Sequence, residues 1–290
     1  MRALSHNRLA DVNFFALPDL AAFNEQYERF ARTLGEHVET VFLEELLAEE
    51  LAYQEDAAQN PNLIFTRDSS ITLPWAPGFY IPARLALASR QGEEKVVALA
   101  MRKLGHEPLL AFSDDEYIEG GDVLPAMDEG KRILVVGFGV RTTKAAVLKL
   151  AVRLIPEHVD QIMALSHDPD FLHLDTGFTI LPNRVMFAVA GMFHSGFLID
   201  ENRNLHDIDP IGRAERLGFK IIRCEKAEAI AHERCNVLPL GEGRYIAFDM
   251  PHRTREELEA AAGVSIISIE GAELAKAAGG VHCLTRPVYR

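Results

Sequence analysis

The chain has 290 residues, 48% hydrophobic and 25% charged, a balance that suits a globular protein with a sizeable core. Its net charge of −13 opposes nonspecific binding to nucleic acid and leaves a small cationic substrate open. No apolar run approaches the ~20 residues that span a bilayer, and the first residues lack a secretory pattern, so a cytoplasmic protein without a membrane partner is expected.

In chain order, the first predicted element is a helix over "DLAAFNEQYERFARTLG", where Phe23, Tyr27, Phe30 and Leu34 form one apolar stripe. A strand over "VETVFL" follows. Next comes a loose strand–strand–helix–strand unit: "NLIFTRDSSITLP", "FYIPARL", "EEKVVALAMRKLG" and "EPLLAF". A clearer copy runs "YIEGGDVLPAM", turn "DEGK", "RILVVGFG", helix "TTKAAVLKLAVRL" and "QIMAL". The third runs "FLHLDTGFTIL", turn "PN", "RVMFAVAG", a connection through "DIDPIGRAERLG", then "FKIIRC". The fourth is the most compact: "RCNVLPL", turn "GEG", "RYIAFDM", helix "TREELEAAAG" and "VSIISIE". A short helix "GAELAKAAG" and a strand "VHCLTRPVYR" end the chain. Turns rich in Gly, Asn and Asp between β-branched and aromatic runs carry this reading.

Four ββαβ units, with a front piece and a back strand that together make a fifth, predict one α/β ring closed by its termini, because closure removes exposed sheet edges. An open α/β sheet is the plainer alternative. The ring treats residues 1–290 as a single catalytic domain.

Near the start of each unit stands a polar group: Asp68, then Glu119 and Asp122 in "EGGD", then His173 and Asp175, then Asn236, with Cys283 in the last strand. Equivalent strand ends in a ring point to one axis, so these groups are expected to converge on one pocket. Each has a plainer reading. Asp68 beside Arg67 reads as a surface ion pair, "EGGD" as a solvated turn, and Cys283 as a small core residue. His173 and Asp175, two apart on a strand, share a face and read as half of a metal pair. "VVGFGVRTTK" lacks the spacing of a phosphate loop. His106, His167 and His194 join no constellation. Cys224, Cys235 and Cys283 cannot all pair within the chain, and no CxxC spacing suggests zinc, so a reducing compartment is expected.

The ordered set "NLIFTRD", "EGGDVL", "RTT", "HLDTGFTIL", "CNVLPLG" and "GGVHCLTRPVYR" resembles the arginine deiminase family of guanidine-modifying enzymes from Asn62 to the C-terminus. That resemblance implies the pentein fold, a five-bladed α/β propeller with pseudo-fivefold symmetry, shared with amidinotransferases and dimethylarginine dimethylaminohydrolases. It implies Cys283 as nucleophile, His173 as general acid/base and Glu119 as the acid supporting both the His and the substrate nitrogens. Asp68 and Asp175 match the carboxylates that hold the guanidinium, with Asp122 among the pocket acids. Arg141 resembles the arginine that binds the substrate carboxylate, and Arg90 is a second candidate for that role. Asn62 and Phe65 shape the pocket.

Two departures stand out. "FLEELLAEELAYQEDAAQNPNLIF" leaves no room for the helical insertion of larger arginine deiminases, and "MRALSHNRLADV" is a poor strand where the family places a partner for the Cys strand. The implied substrate is a small cationic guanidino compound, with L-arginine leading, and no metal or organic cofactor is required. Arginine dihydrolysis, demethylamination, amidine transfer, a noncatalytic binding pentein and a metallohydrolase built on His173, Asp175 and Glu119 are the alternatives. Oligomeric state is open, a homodimer included.

Overall fold

Phe23 and Phe30 fall on one helical face, and burying two phenyl rings, at about 1.5–3 kcal/mol each, gives the front of the chain a reason to dock. The structure, a computed structural model, describes residues 9–290. The proposed weak N-terminal strand lies largely outside them, and Ala10–Val12 form a 3-10 turn. Helix α1 (Leu20–Gly35) starts at Asp19, whose carboxylate accepts from the amides of Ala21 and Ala22 and so caps two otherwise orphaned donors. The strand expected over "VETVFL" is absent: with no neighbouring strand to pair with, the segment runs irregularly into α2 (Leu43–Leu46). Helix α3 (Leu51–Gln59) and a 3-10 turn at Pro61–Ile64 complete the connection.

The four expected units each form a sheet with one wiring. In the first, β1 (Ser70–Ile71) pairs antiparallel with β2 (Phe79–Pro82), and α4 (Glu93–Lys103) crosses to β3 (Glu107–Pro108), parallel to β2. In the second, β4 (Val123–Asp128) pairs antiparallel with β5 (Lys131–Phe138), and α5 (Lys144–Leu154) crosses to β6 (Gln161–His167). Thr143 caps α5 through its hydroxyl on the Ala146 amide, and the helix buries Ala146, Val147, Leu150, Ala151 and Leu154.

A helical turn α6 (Leu174–Gly177) opens the third unit, where β7 (Phe178–Leu181) pairs with β8 (Val185–Val189). The segment read as a plain connection contains a hairpin, β9 (Phe193–Ile199) and β10 (Leu205–Ile208), and β9 pairs with β6 of the preceding sheet. Helix α7 (Pro210–Arg216) then leads to β11 (Lys220–Cys224), parallel to β8. After α8 (Lys226–His232), the fourth unit runs β12 (Leu238–Gly241), β13 (Arg244–Phe248), α9 (His252–Ala262) and β14 (Ser265–Ile269). The parallel third strand in every unit is what the crossover helix makes possible.

Among the described residues there is no fifth sheet. The front and back do meet, but through helices: the Gln26 side-chain oxygen accepts from the Glu273 amide at the start of α10 (Ala272–Ala275), and the Phe15 amide donates to the Lys276 carbonyl. The expected strand "VHCLTRPVYR" is a hydrogen-bonded turn over residues 281–284 followed by irregular chain. No helix among the described residues is long and apolar enough to cross a membrane.

The chain divides into two compact units, each assembled from several stretches. The first comprises the residues up to Phe65, Thr176–Ala190 and Gly218–Thr285; the second comprises Thr66–Asp175, Gly191–Leu217 and Arg286–Arg290. One core, in the first unit, gathers Phe14, Phe23, Phe30, Phe65, Phe248 and Cys283. The core of the second gathers Ile71, Ile81, Leu134, Leu150, Ile162 and Phe197.

Candidate active site

The first unit places the thiol. After α10, Ala278 takes a left-handed φ of 61°, and the chain then passes through Gly279 and Gly280. A Cβ on Gly279 would lie 2.3 Å from the Phe65 ring, and one on Gly280 would lie 2.6 Å from Asn236. Both glycines are therefore required by close approach. One side chain bonds the turn that follows at three points. Asn236 Oδ1 accepts from the amides of His282 (2.8 Å) and Cys283 (3.2 Å), and its Nδ2 donates to Cys283 Sγ at 3.0 Å.

Cys283 is 3% exposed and packs in the apolar cluster with Phe65 and Leu284, so the core reading of this thiol holds. Its sulfur also accepts a hydrogen bond from the Asn236 carboxamide, which fixes the direction of the thiol. Asn236, expected among the polar groups that converge on the pocket, is bonded to the Cys turn itself, a role its place in "RCNV" does not signal. Asn62 is buried, with its carboxamide donating to the Val12 carbonyl at 3.1 Å.

The second unit places the ionic groups. They stand in turns before the first strands, not in the strands as expected: Asp68 in the turn ahead of β1, Glu119 at the cap of the Gly120–Asp122 3-10 turn, and His173 just before α6, whose first turn holds Asp175. Two-residue strand alternation therefore does not relate His173 to Asp175. Turns free the backbone to aim side chains that precede three different sheets toward one another.

His173 Nε2 lies 2.7 Å from Glu119 Oε2, and His173 Nδ1 lies 3.7 Å from Asp68 Oδ1. Arg141 Nη1 donates to Glu119 at 3.2 Å. Arg90 donates through Nη1 to Asp68 Oδ2 at 2.7 Å and grips Glu93 with Nε and Nη2 at 2.9 and 2.7 Å. Both arginines expected at a substrate carboxylate are thus bonded to acids of the cluster itself. The surface pair expected of Arg67 and Asp68 is also corrected: both are buried, and Asp68 pairs with Arg90. Gly121 explains part of "EGGD", since a Cβ there would lie 2.8 Å from His173 Cγ and 2.9 Å from Asp68 Oδ1.

Three buried carboxylates (Asp68, Glu93, Glu119) thus face three buried basic groups (Arg90, Arg141, His173). Burial pushes the His173 pKa down, but Asp68 and Glu119 outweigh it and hold it at about 9. Burial pushes Glu119 up, and His173, Arg141 and Arg90 outweigh that, leaving it at about 2. At neutral pH the pair is imidazolium and carboxylate, ready to donate a proton.

Glu93 was missed because an acid in the first turn of a helix reads as solvated; it is fully buried. His167, expected in no constellation, lies 3.3 Å from Asp122. His106 is structural, its ring spanning the Leu104 and Tyr289 carbonyls, and His194 is exposed.

Ligand atoms of Asp68, Glu119 and His173 all lie within 4.8 Å of one another, the spacing of a metal site. The charge argues against one. Arg141 and Arg90 lie 3.2 and 3.9 Å from Glu119 and would face any divalent ion bound there, and a ligating His173 must first lose a proton that both acids stabilise.

The sequence model of the arginine deiminase family matches residues 57–290. Arginine deiminases of Rhodococcus jostii and Streptococcus pneumoniae are 29% and 28% identical over 256 and 257 residues, which is 79% of this chain in each case. The chain spans about 60% of the length of these curated relatives. Among solved structures, the N-terminal domain of ArgZ, an arginine dihydrolase from the ornithine–ammonia cycle in cyanobacteria, matches 94% of this chain and 89% of its own, with a TM-score of 0.71 and 20% identity. A dimethylarginine dimethylaminohydrolase adduct with S-methyl-L-thiocitrulline matches 92% of this chain and 89% of its own, with a TM-score of 0.66 and 20% identity. At those identities the two structures speak to the fold, which is α/β and pentein-like. By the match over residues 57–290, the chain belongs to the arginine deiminase family.

Proposed function

We propose that the protein hydrolyses a C–N bond of a small guanidino substrate through a covalent intermediate on Cys283, with L-arginine and water giving L-citrulline and ammonia. The observation that carries the reading is the buried His173–Glu119 pair at 2.7 Å, which keeps the imidazole protonated until the reaction calls on it. A guanidinium is cationic and resonance-stabilised, so its carbon is a poor electrophile. Asp68 and Asp175 fix its plane through charge-assisted hydrogen bonds in a dry site.

The Cys283 thiolate attacks that carbon, forming the C–S bond and a tetrahedral adduct. His173 gives its proton to the departing amine, the C–N bond breaks, and a thiouronium remains. Neutral His173 then takes a proton from water, whose oxygen adds to the same carbon; the C–S bond breaks and the ureido product leaves. In this reading residues 1–290 act as one catalytic domain, and the four repeated units with the terminal segments make the five-bladed ring of the family. The four sheets of shared wiring support the latter.

Incubation with L-arginine, followed by joint measurement of ureido product, ornithine and ammonia, tests the assignment. One ammonia per citrulline, with no ornithine, is expected. Ornithine with two ammonia and carbon dioxide would replace it with a dihydrolase. Consumption of N-methylated arginine alone would indicate demethylamination, and transfer to an added amine would indicate an amidinotransferase.

A further inference from the structure

Asp122 was expected among the substrate-binding acids, and the structure gives its carboxylate other partners. The side chain is fully buried. Its Oδ1 accepts from the Leu174 amide at 2.8 Å, and its Oδ2 accepts from Thr142 Oγ1 at 2.6 Å. Thr142 Oγ1 in turn accepts from the Glu119 amide at 3.2 Å. One carboxylate therefore reaches the residue after His173, the residue after Arg141, and the backbone of Glu119.

His167, at the end of β6, stands behind it. Its Nδ1 lies 3.2 Å from the Asp168 carbonyl and its Nε2 lies 3.3 Å from Asp122 Oδ1. Burial pushes the His167 pKa down, but Asp122 and the Asp168 carbonyl outweigh it and hold it above its ordinary value, which favours the imidazolium. The Asp122 contact is an ion pair rather than an aligned hydrogen bond, which fits a charge placed to balance a carboxylate already directed elsewhere. The groups that bear on its charge are Asp122 from the 3-10 turn and, with opposite sign, His173 from the segment before α6.

The backbone makes room for this arrangement. A Cβ on Gly137 of β5 would lie 2.8 Å from Asp122 Oδ1, 2.9 Å from Leu174 Cβ and 3.0 Å from His167 Cδ2. Any side chain there would separate the groups that the network joins.

We infer that Asp122, balanced by His167, is a positioning residue that holds His173, Glu119 and Arg141 in register through the Leu174 amide and the Thr142 hydroxyl. The inference rests on the proposed acid/base role of His173. Asp122 touches no reacting atom in this account; it acts by fixing the backbone on both sides of the imidazolium–carboxylate pair. Small displacements of such a pair are costly to catalysis and nearly neutral to ground-state binding.

The test compares Asp122→Asn, Thr142→Val and Thr142→Ser in steady-state assays on the guanidino substrate that the parent protein turns over. A fall in kcat of about 10- to 100-fold is expected for Asp122→Asn and Thr142→Val, with KM changed by less than about 3-fold and the alkaline limb of the kcat profile moved to lower pH. Thr142→Ser, which keeps the hydroxyl, should recover most of the loss. A raised KM with unchanged kcat in Asp122→Asn would return Asp122 to the substrate ligands and overturn the inference. If Asp122→Asn does not fold, the Thr142 pair carries the same comparison. Imidazole NMR gives a readout independent of turnover: the His173 titration should fall in both impaired variants. An unmoved titration in both overturns the inference, whereas absence of guanidino turnover in the parent protein overturns only the functional reading.

Discussion

The Cys283 turn and the His173 cluster are built from opposite materials. The turn is shaped by close approach: one carboxamide that donates to the sulfur, two glycines and the Phe65 ring define it. The cluster depends on charge, with Asp68, Glu93 and Glu119 set against Arg90, Arg141 and His173 under almost complete burial. A buried ion is costly unless its partners are all present, so removing any one strands the others. A sterically defined turn instead fails when volume is added. Substitutions that change charge and substitutions that change shape should therefore damage the two regions in distinguishable ways.

The largest effect is expected at the sulfur itself. Cys283→Ser keeps the turn and every Asn236 bond except the one to sulfur, while an alkoxide is far harder to form than a thiolate. Turnover should fall by at least about 10⁴-fold, with substrate binding by calorimetry retained. Asp175→Ala should differ by weakening binding and turnover together. Full activity in Cys283→Ser would end the covalent proposal.

How the sequence anticipated this arrangement differs between the two regions. The repeated sheets were readable because "DEGK", "PN" and "GEG" mark hairpin turns between apolar runs, and those local signals need no tertiary partner. The order of Asp68, Glu119, His173 and Cys283 was readable through the family resemblance. Their backbone setting was not, because "LHLDTG" alternates like a strand until Asp122 fixes the Leu174 amide and a helical turn begins. Glu93 looks like an ordinary helix-start residue, and Asn236 stands out only as one polar group of the repeat; Arg90 and the Cys283 turn give them their roles. The β9–β10 hairpin was passed over for the same reason: it finds its partner strand in another unit of the repeat.

The cluster should respond to charge, and Glu119→Gln tests this with an intermediate effect. The variant keeps volume and loses the negative charge that binds His173 and Arg141. A fall in kcat of about 10²- to 10³-fold is expected. The pH profile carries more information. In the parent protein His173 stays protonated up to about 9, so the general acid is present below that pH and lost above it. Without Glu119, burial has less opposing it, and the alkaline limb should move toward lower pH. Stability should follow the same groups. The His173 contribution is complete below its ordinary 6.5 and is lost as pH rises through about 9; the Glu119 contribution is present above its ordinary 4.5 and is lost as pH falls through about 2. A profile unchanged by Glu119→Gln would break the assignment of His173 as the acid.

The turn should respond to volume, and Gly280→Ala is the smallest change that tests it. The added methyl would lie 2.6 Å from both Cβ and Oδ1 of Asn236, atoms with little freedom because the same side chain holds three bonds to residues 282 and 283. Relief must come from moving Asn236 or the turn, and either loosens the hold on the sulfur. Thermal unfolding should report a loss of about 1–3 kcal/mol, the usual cost of forcing a methyl into a packed site. The kcat should fall by a factor of about 10, an order below the Glu119 variant, because the thiol remains and only its aim suffers. The pH profile should stay in place, since no charge around His173 has changed. Loss of rate without movement of the profile is the signature of damage by shape alone. A profile that moved with Gly280→Ala would show that the two regions are not separately built, and the contrast between a steric nucleophile and an ionic acid would fall.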